Sequence, residues 1–267
     1  MALLALAPSA FADAITPESG GGSENAERID TLYKIVLYVA IVMFLIVEGT
    51  LIWALVKFRA RRHGPEPAQI RGNTPLELGW TVGAALILVV LTVITFVYLD
   101  DIKNPPASDA QAVEVASIDQ AEPPGEGQSL DIDVNGQQYL WRYDYPGKEQ
   151  LFSFQEMVVP TGVTVTLDVT ASDVIHSWWI PKLGGKVDAV PGHENATWFK
   201  IDRGKEGVYE GQCAELCGEN HADMRAKVRA VTPEEYEAWA EQQRTDIADA
   251  QTGLAEQREQ RSAEEGG

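Results

Sequence analysis

Two stretches leave this chain little choice of fold. Between Ile35 and Val56 the only charged residue is Glu48, and between Leu78 and Leu99 there is none. Each run has the roughly 20 apolar residues that cross a bilayer core as a helix. The sequence therefore predicts a transmembrane hairpin over 32–103, with helices at about 33–57 and 77–99. The connector holds Lys57, Arg59, Arg61, Arg62 and Arg71, whereas Glu27, Asp30, Asp100 and Asp101 flank the other ends. Basic loops stay on the cytoplasmic side, which places both termini and the large C-terminal domain outside the cytoplasm. Glu48 is an ionisable group inside a span, where function or contact with a partner helix is the default reading. No specific chemistry attaches to it, so packing against a partner is expected.

Outside the hairpin the sequence divides by composition. Residues 1–14 resemble the end of a secretory signal, with Ala10-Phe-Ala12 as a cleavage site but no basic leader; an ordinary N-terminus is the alternative. Gly/Ser/Glu-rich residues 15–31 and Pro/Ala/acid-rich residues 104–127 read as linkers. Over 128–231 short alternating runs take over. In Val163-Thr-Val-Thr-Leu-Asp-Val-Thr170 the valines and Leu167 share one face, and Arg225–Val231 repeats the pattern with its basic residues outward. Such strands separated by Pro-Gly and Gly-Gly turns predict an all-β Greek-key sandwich or barrel. Thr232-Pro-Glu-Glu235 is a capping box, so 232–267 starts as a helix that carries Trp239 onto the domain, followed beyond about 245 by an acidic tail that need not pack.

The chain has 40 acidic against 21 basic residues, a formal charge of −19. That excludes nucleic-acid binding through bulk charge and suits the steering of a basic protein partner.

The chemistry concentrates in Cys213-Ala-Glu-Leu-Cys217-Gly-Glu-Asn-His221-Ala-Asp-Met224, which contains both cysteines of the protein. In an extracytoplasmic domain two cysteines can form a structural disulfide. With a histidine and a methionine beside them they are also the donor set of soft, redox-active copper. Two thiolates with only three residues between them can bridge two metal ions, each then needing one histidine and one weak axial donor. Of the remaining histidines, His63 lies in the basic connector and His193 in a turn. His176, in Asp173-Val-Ile-His-Ser-Trp-Trp-Ile-Pro181, lies among bulky apolar residues that shield a metal. No Cys-x-x-Cys-His is present, so no attached c-type haem is expected, and the electron donor is expected to be a separate protein.

His176-Ser-Trp-Trp-Ile-Pro-Lys-Leu-Gly-Gly-Lys186, Asp188-Ala-Val-Pro-Gly192 and Gly207-Val-Tyr-Glu-Gly-Gln-Cys213 through Met224 resemble subunit II of the haem-copper cytochrome c oxidases, over roughly residues 30–231. The resemblance narrows the fold to a cupredoxin-like Greek-key sandwich behind the membrane hairpin. It implies a binuclear copper centre bridged by Cys213 and Cys217, with His176 and Met224 completing one ion, and His221 and the carbonyl of Glu215 the other. The Glu215 carboxylate then helps hold a magnesium ion shared with subunit I. In Asn73-Thr-Pro-Leu-Glu-Leu-Gly-Trp80, Glu77 matches the entrance of a proton channel; a first-turn carboxylate that favours the helix dipole is the structural alternative. In Gly136-Gln-Gln-Tyr-Leu-Trp-Arg-Tyr-Asp-Tyr145, Tyr139 stands where the family has the exposed tryptophan of electron entry, and Trp141 matches its second aromatic. Asp144 and Asp173 match acidic residues that dock cytochrome c, with solvation as the alternative. The implied function is electron entry to a respiratory oxidase in a bacterial-type plasma membrane: cytochrome c donates, and subunit I reduces oxygen and pumps protons. Competing readings are a nitric oxide reductase subunit, a membrane-anchored copper carrier or single-copper shuttle, and a disulfide-stapled structural domain; quinol oxidase subunit II conflicts with the intact ligand set.

Overall fold

In the computed structural model, residues 22–59, 68–116, 118, 128–147 and 150–265 are described. The chain forms two units, residues 30–100 and the remainder. The signal-like segment 1–14, the connector residues Arg61, Arg62 and His63, and residues 119–127 lie outside the described residues.

The helices of the first unit are α1 (Glu24–Lys57) and α2 (Thr74–Lys103). Both are long and apolar enough to cross a membrane, and none of α2 is buried. Three of their threonines bond within the helix: Thr50, Thr81 and Thr95 donate to the carbonyls of Ile46, Glu77 and Leu91 one turn back, at 2.6, 2.9 and 2.8 Å. Unpaired polar groups are costly in hydrocarbon, and this arrangement leaves none on these residues. Both helices outrun the expected boundaries, because an apolar run marks the membrane-crossing length and not the helix end. Asn73 caps α2 by accepting the Leu76 N–H at 3.3 Å, while Glu77 Oε1 accepts the Asn73 N–H at 3.0 Å. Asp100, Asp101 and Lys103 still belong to α2.

The second unit is built on two sheets. One has the order β3-β2-β1-β5-β8, with β1 (Ser129–Gln137), β2 (Leu140–Tyr145), β3 (Leu151–Phe154), β5 (Thr164–Ala171) and β8 (Asn195–Lys200). The other has the order β4-β10-β9, with β4 (Glu156–Pro160), β9 (Gly207–Gln212) and β10 (Arg225–Val231). A short ladder joins β6 (His176–Trp178) to β7 (Val187–Ala189). Each sheet contains one parallel pair, β1 with β5 and β4 with β10, so the chain crosses between sheets in the Greek-key manner. The inward residues are those that alternation selects: Val163, Val165, Leu167 and Val169 are fully buried, as are Ala226 and Val228. Outward Lys227 and Arg229 pair with Glu210 and Glu156. On β2, Trp141, Tyr143 and Tyr145 point inward, and Tyr145 OH bridges the sheets by accepting the Val158 N–H (2.7 Å) and donating to the Val158 carbonyl (3.0 Å).

Three segments differ from expectation. Residues 104–116 are not a free linker: α3 (Ala110–Val115) buries Ala112 and Val113, the Asp109 N–H donates to the Gly162 carbonyl at 2.8 Å, and Ser108 Oγ accepts the Thr164 N–H at 2.8 Å. Residues 22–26 also pack, with Ser23, Asn25 and Ala26 buried; Asn25 Nδ2 donates to the Trp198 carbonyl at 3.1 Å, and Ser23 Oγ accepts the Lys200 N–H at 3.2 Å. The C-terminal helix, α4 (Pro233–Glu265), starts at the capping box and continues through the expected tail, burying Ile247 and bonding Gln243 to the Phe152 carbonyl. Small and amide side chains make these contacts, and a compositional reading scores them as polar.

Candidate metal centre

Backbone bonds bring the two ligand-bearing segments together before any side chain is considered. The Gln212 N–H donates to the Trp179 carbonyl (3.0 Å), and the Ala214 N–H to the Ser177 carbonyl (2.9 Å), so the end of β9 is laid against β6. Gly211 permits that approach, since a Cβ there would sit 2.0 Å from the Trp179 carbonyl oxygen. The Cys213 N–H donates to the Met224 carbonyl (2.9 Å), closing the loop on the start of β10. Between them a single 3₁₀ turn, His221–Asp223, carries the second histidine.

The side chains then converge. Cys213 and Cys217 are buried, unpaired thiols with sulfurs 3.9 Å apart, too far for a disulfide and close enough to share metal ions. His176 Nδ1 lies 3.9 Å from Cys213 Sγ, His221 Nδ1 lies 3.5 Å from Cys217 Sγ, and Met224 Sδ lies 3.8 Å from Cys217 Sγ. The Glu215 carbonyl lies 3.3 Å from Cys213 Sγ. The donor atoms of His176, Cys213 and Cys217 all lie within 4.8 Å of one another. Two thiolate sulfurs, two imidazole nitrogens, a thioether and a carbonyl fit a pair of soft copper ions and do not fit hard oxygen-seeking cations. Burial, then the neighbouring Cys213, push the Cys217 thiol up to about 11, so the metal-free cluster keeps its proton there until a metal displaces it.

The two histidines are held differently. His176 is fully buried on β6, and its other ring nitrogen, Nε2, meets Asp173 Oδ1 at 2.9 Å. Burial alone would raise the Asp173 carboxyl, but hydrogen bonds from the Gln138 N–H, the His176 ring and the Val174 N–H outweigh it and hold that carboxyl below its ordinary value. His221 is half-buried, and His193 is exposed and apart from the cluster.

The remaining expected site residues fall in three places. Tyr139 is half-buried beside the ligand loop, where its hydroxyl accepts the Glu219 N–H at 3.1 Å. Trp141 is fully buried with its ring edge-on to His176 at 5.9 Å, so no protein partner reaches it directly. Asp144 is gripped by Arg142 at 2.8 and 2.6 Å, which offsets its charge, and Asp173 is occupied by His176. The Glu215 residue is exposed, and Glu77 lies at the start of α2, in the other unit. One residue of the site was not anticipated: Gln138, whose Nε2 donates to the Cys217 carbonyl at 2.6 Å. Its partner is 79 positions away, and no periodicity or spacing signals such a contact.

Comparison with known proteins agrees with this geometry. Residues 146–231 match the cytochrome c oxidase subunit II periplasmic domain, and residues 16–97 match the cytochrome c oxidase subunit II transmembrane domain. The chain is 34% identical over 251 residues to cytochrome c oxidase subunit 2 of Alkalihalophilus pseudofirmus, covering 88% of this chain and 67% of that one. It is 30% identical over 267 residues to cytochrome c oxidase subunit 2 of Bacillus subtilis, covering 97% and 72%. The chain belongs to the cytochrome c oxidase subunit II family. A crystal structure of the periplasmic domain of subunit II of cytochrome oxidase from Bradyrhizobium japonicum shares 36% identity over 44% of this chain and 94% of its own, with a TM-score of 0.42. As a member of the cytochrome c oxidase subunit II family, this is a membrane protein with a cupredoxin-like domain, an electron-entry subunit of an oxidoreductase complex, and its family implies copper.

Proposed function

We propose that the cysteine–histidine cluster takes electrons from reduced cytochrome c and hands them to haem in subunit I, where oxygen is reduced and protons are pumped. One observation carries this reading: two buried, unpaired cysteine sulfurs 3.9 Å apart, each facing the Nδ1 of a different histidine. Bound there, a copper pair supplies a one-electron carrier whose charge is shared over two nuclei. The chain's own residues do the rest. Cys213 and Cys217, deprotonated, would be the thiolates that hold the pair. Asp173 fixes the His176 ring so that Nδ1 faces the sulfurs. His176 and Met224 would help hold one ion, and His221 with the Glu215 carbonyl the other. The strand-borne, buried half of the site holds ligands in nearly one geometry for both oxidation states, which keeps reorganisation small.

Within this reading Tyr139 is the surface aromatic of electron entry and Trp141 lies behind it. Asp144 and Asp173 belong to the docking face for a basic cytochrome c, the Glu215 carboxylate contributes to a magnesium site shared with subunit I, and Glu77 opens a proton path on the cytoplasmic side. The basic connector faces the cytoplasm, and the copper domain the opposite side.

Copper counting and EPR on the full chain in detergent test the assignment. Two ions per chain and a hyperfine pattern from one electron shared by two equivalent nuclei support it. A single-copper spectrum, or a Cys213–Cys217 disulfide that resists copper loading after reduction, sinks it in favour of a shuttle or a structural domain.

A further inference from the structure

Three hydrogen bonds converge on the turn between β1 and β2, at Gln138 and Tyr139, and all of them lead to the metal cluster. The Gln138 N–H donates to Asp173 Oδ2 at 2.7 Å, and the other oxygen of that carboxylate holds His176. Gln138 Nε2 donates to the Cys217 carbonyl at 2.6 Å. Tyr139 OH accepts the Glu219 N–H at 3.1 Å. The first bond reaches the His176 arm; the other two reach the segment between Cys217 and His221.

That segment needs outside support. Cys213 is fixed by backbone bonds to the Met224 carbonyl and, through Ala214, to Ser177. Residues 218–220 are exposed and belong to no strand, and their backbone carbonyls serve the turn itself, from Gly218 to the His221 N–H and from Asn220 to the Asp223 N–H. Gly218 shows how closely the β1–β2 turn is applied. Its φ is +135°, and a Cβ there would lie 2.6 Å from the Tyr139 hydroxyl and 2.9 Å from Gln138 Nε2. The identity of residue 139 also matters: tyrosine hydroxyl accepts a hydrogen bond, whereas the indole of the tryptophan implied at this place by the family resemblance only donates.

We infer that Gln138 and Tyr139 are positioning residues, a clamp whose carboxamide and phenol hydroxyl hold the Cys217–His221 segment against the His176 arm and so govern how tightly the cluster retains copper. The inference rests on the copper reading above. Gln138 acts through the Cys217 carbonyl and Asp173, Tyr139 through the Glu219 amide, and neither touches a donor atom.

The test uses the full chain in detergent. Wild-type copper stoichiometry is measured first; fewer than two ions overturns the copper reading, and positioning for a metal with it. In the copper-loaded chain Tyr139→Phe and Gln138→Met each release Cu(I) to a bathocuproine chelator about three to ten times faster, the span one modest hydrogen bond commands. Tyr139→Trp behaves as Tyr139→Phe, and the hyperfine pattern shifts in all three. In the metal-free chain, amide exchange over residues 218–221 speeds up in Tyr139→Phe while β5 amides keep their protection. That arm reads the clamp without copper. Wild-type release and exchange in Tyr139→Phe overturn the clamp even where both ions bind, and acceleration spread equally to β5 marks general loosening and overturns it as well.

Discussion

The two histidine arms of the cluster present the same donor atom by different physical means. His176 sits on β6 with no exposure, wedged beside Trp141 and anchored by a carboxylate. His221 sits half-exposed on one 3₁₀ turn, its backbone held by the Gly218 carbonyl. The first ligand is fixed by the packed core, so its place depends on the global fold. The second is fixed by a few bonds from its own turn and from the β1–β2 turn, so its place depends on those bonds and not on the packed core. A metal that bridges them joins the stable part of the domain to its most locally determined part, and metal binding is thereby coupled to loop order.

The comparison breaks completely if the bridge is removed. Cys217→Ser is expected to abolish the two-nucleus EPR pattern and leave at most one weakly held ion; retention of a two-nucleus spectrum refutes the bridging role. The arms separate next. His176→Ala opens a buried cavity and costs the metal-free chain about 2 kcal/mol or more, whereas His221→Ala, at a half-exposed turn, stays within about 0.5 kcal/mol although both lose copper. Chemical denaturation of the two metal-free variants in detergent measures this, and equal losses contradict the division.

A smaller effect sharpens the first arm. Asp173→Asn keeps the side-chain size and removes the charge that orients the His176 ring. Outer partners of this kind are worth about tenfold or more in metal affinity. Competition titration with a chelator is the measurement, and wild-type affinity shows that Asp173 serves only the surface.

The smallest effect is a pH dependence of the metal-free chain. The Cys217 thiol is raised from 9.0 to about 11 by burial and by Cys213. Between those values the unfolded chain has lost this proton while the folded chain keeps it, so stability is full below about 9 and falls as pH rises toward about 11. Thermal midpoints across that window should decline, and Cys217→Ser should flatten the decline; a parallel slope in the variant assigns the effect elsewhere.

Legibility from sequence followed the same division. The membrane helices, the inward faces of β5 and β10 and the capping box were readable, because each is encoded by period, composition or a short spacing; the donor set as a whole was named only through the family resemblance. What was missed is long-range and polar. Ser23, Asn25, Asp109 and Gln138 form hydrogen bonds to residues distant in the chain, and their local surroundings look like linker or turn. Asp173 was identified as a candidate docking charge, yet its contact to His176 is visible only once the turn that brings the two together is built.

The packing of residues 22–26 bears on how the domain can be handled apart from its membrane helices. A water-soluble truncation starting at 104 deletes Asn25 from the Trp198 carbonyl, Ser23 from the Lys200 amide and the Ile102 carbonyl from the Trp198 indole. All three losses fall on β8, the edge strand of the larger sheet. An exposed edge of that kind invites strand pairing between molecules. A fragment engineered to stay monodisperse would therefore begin near residue 101 and carry residues 22–29 spliced back as a short leader.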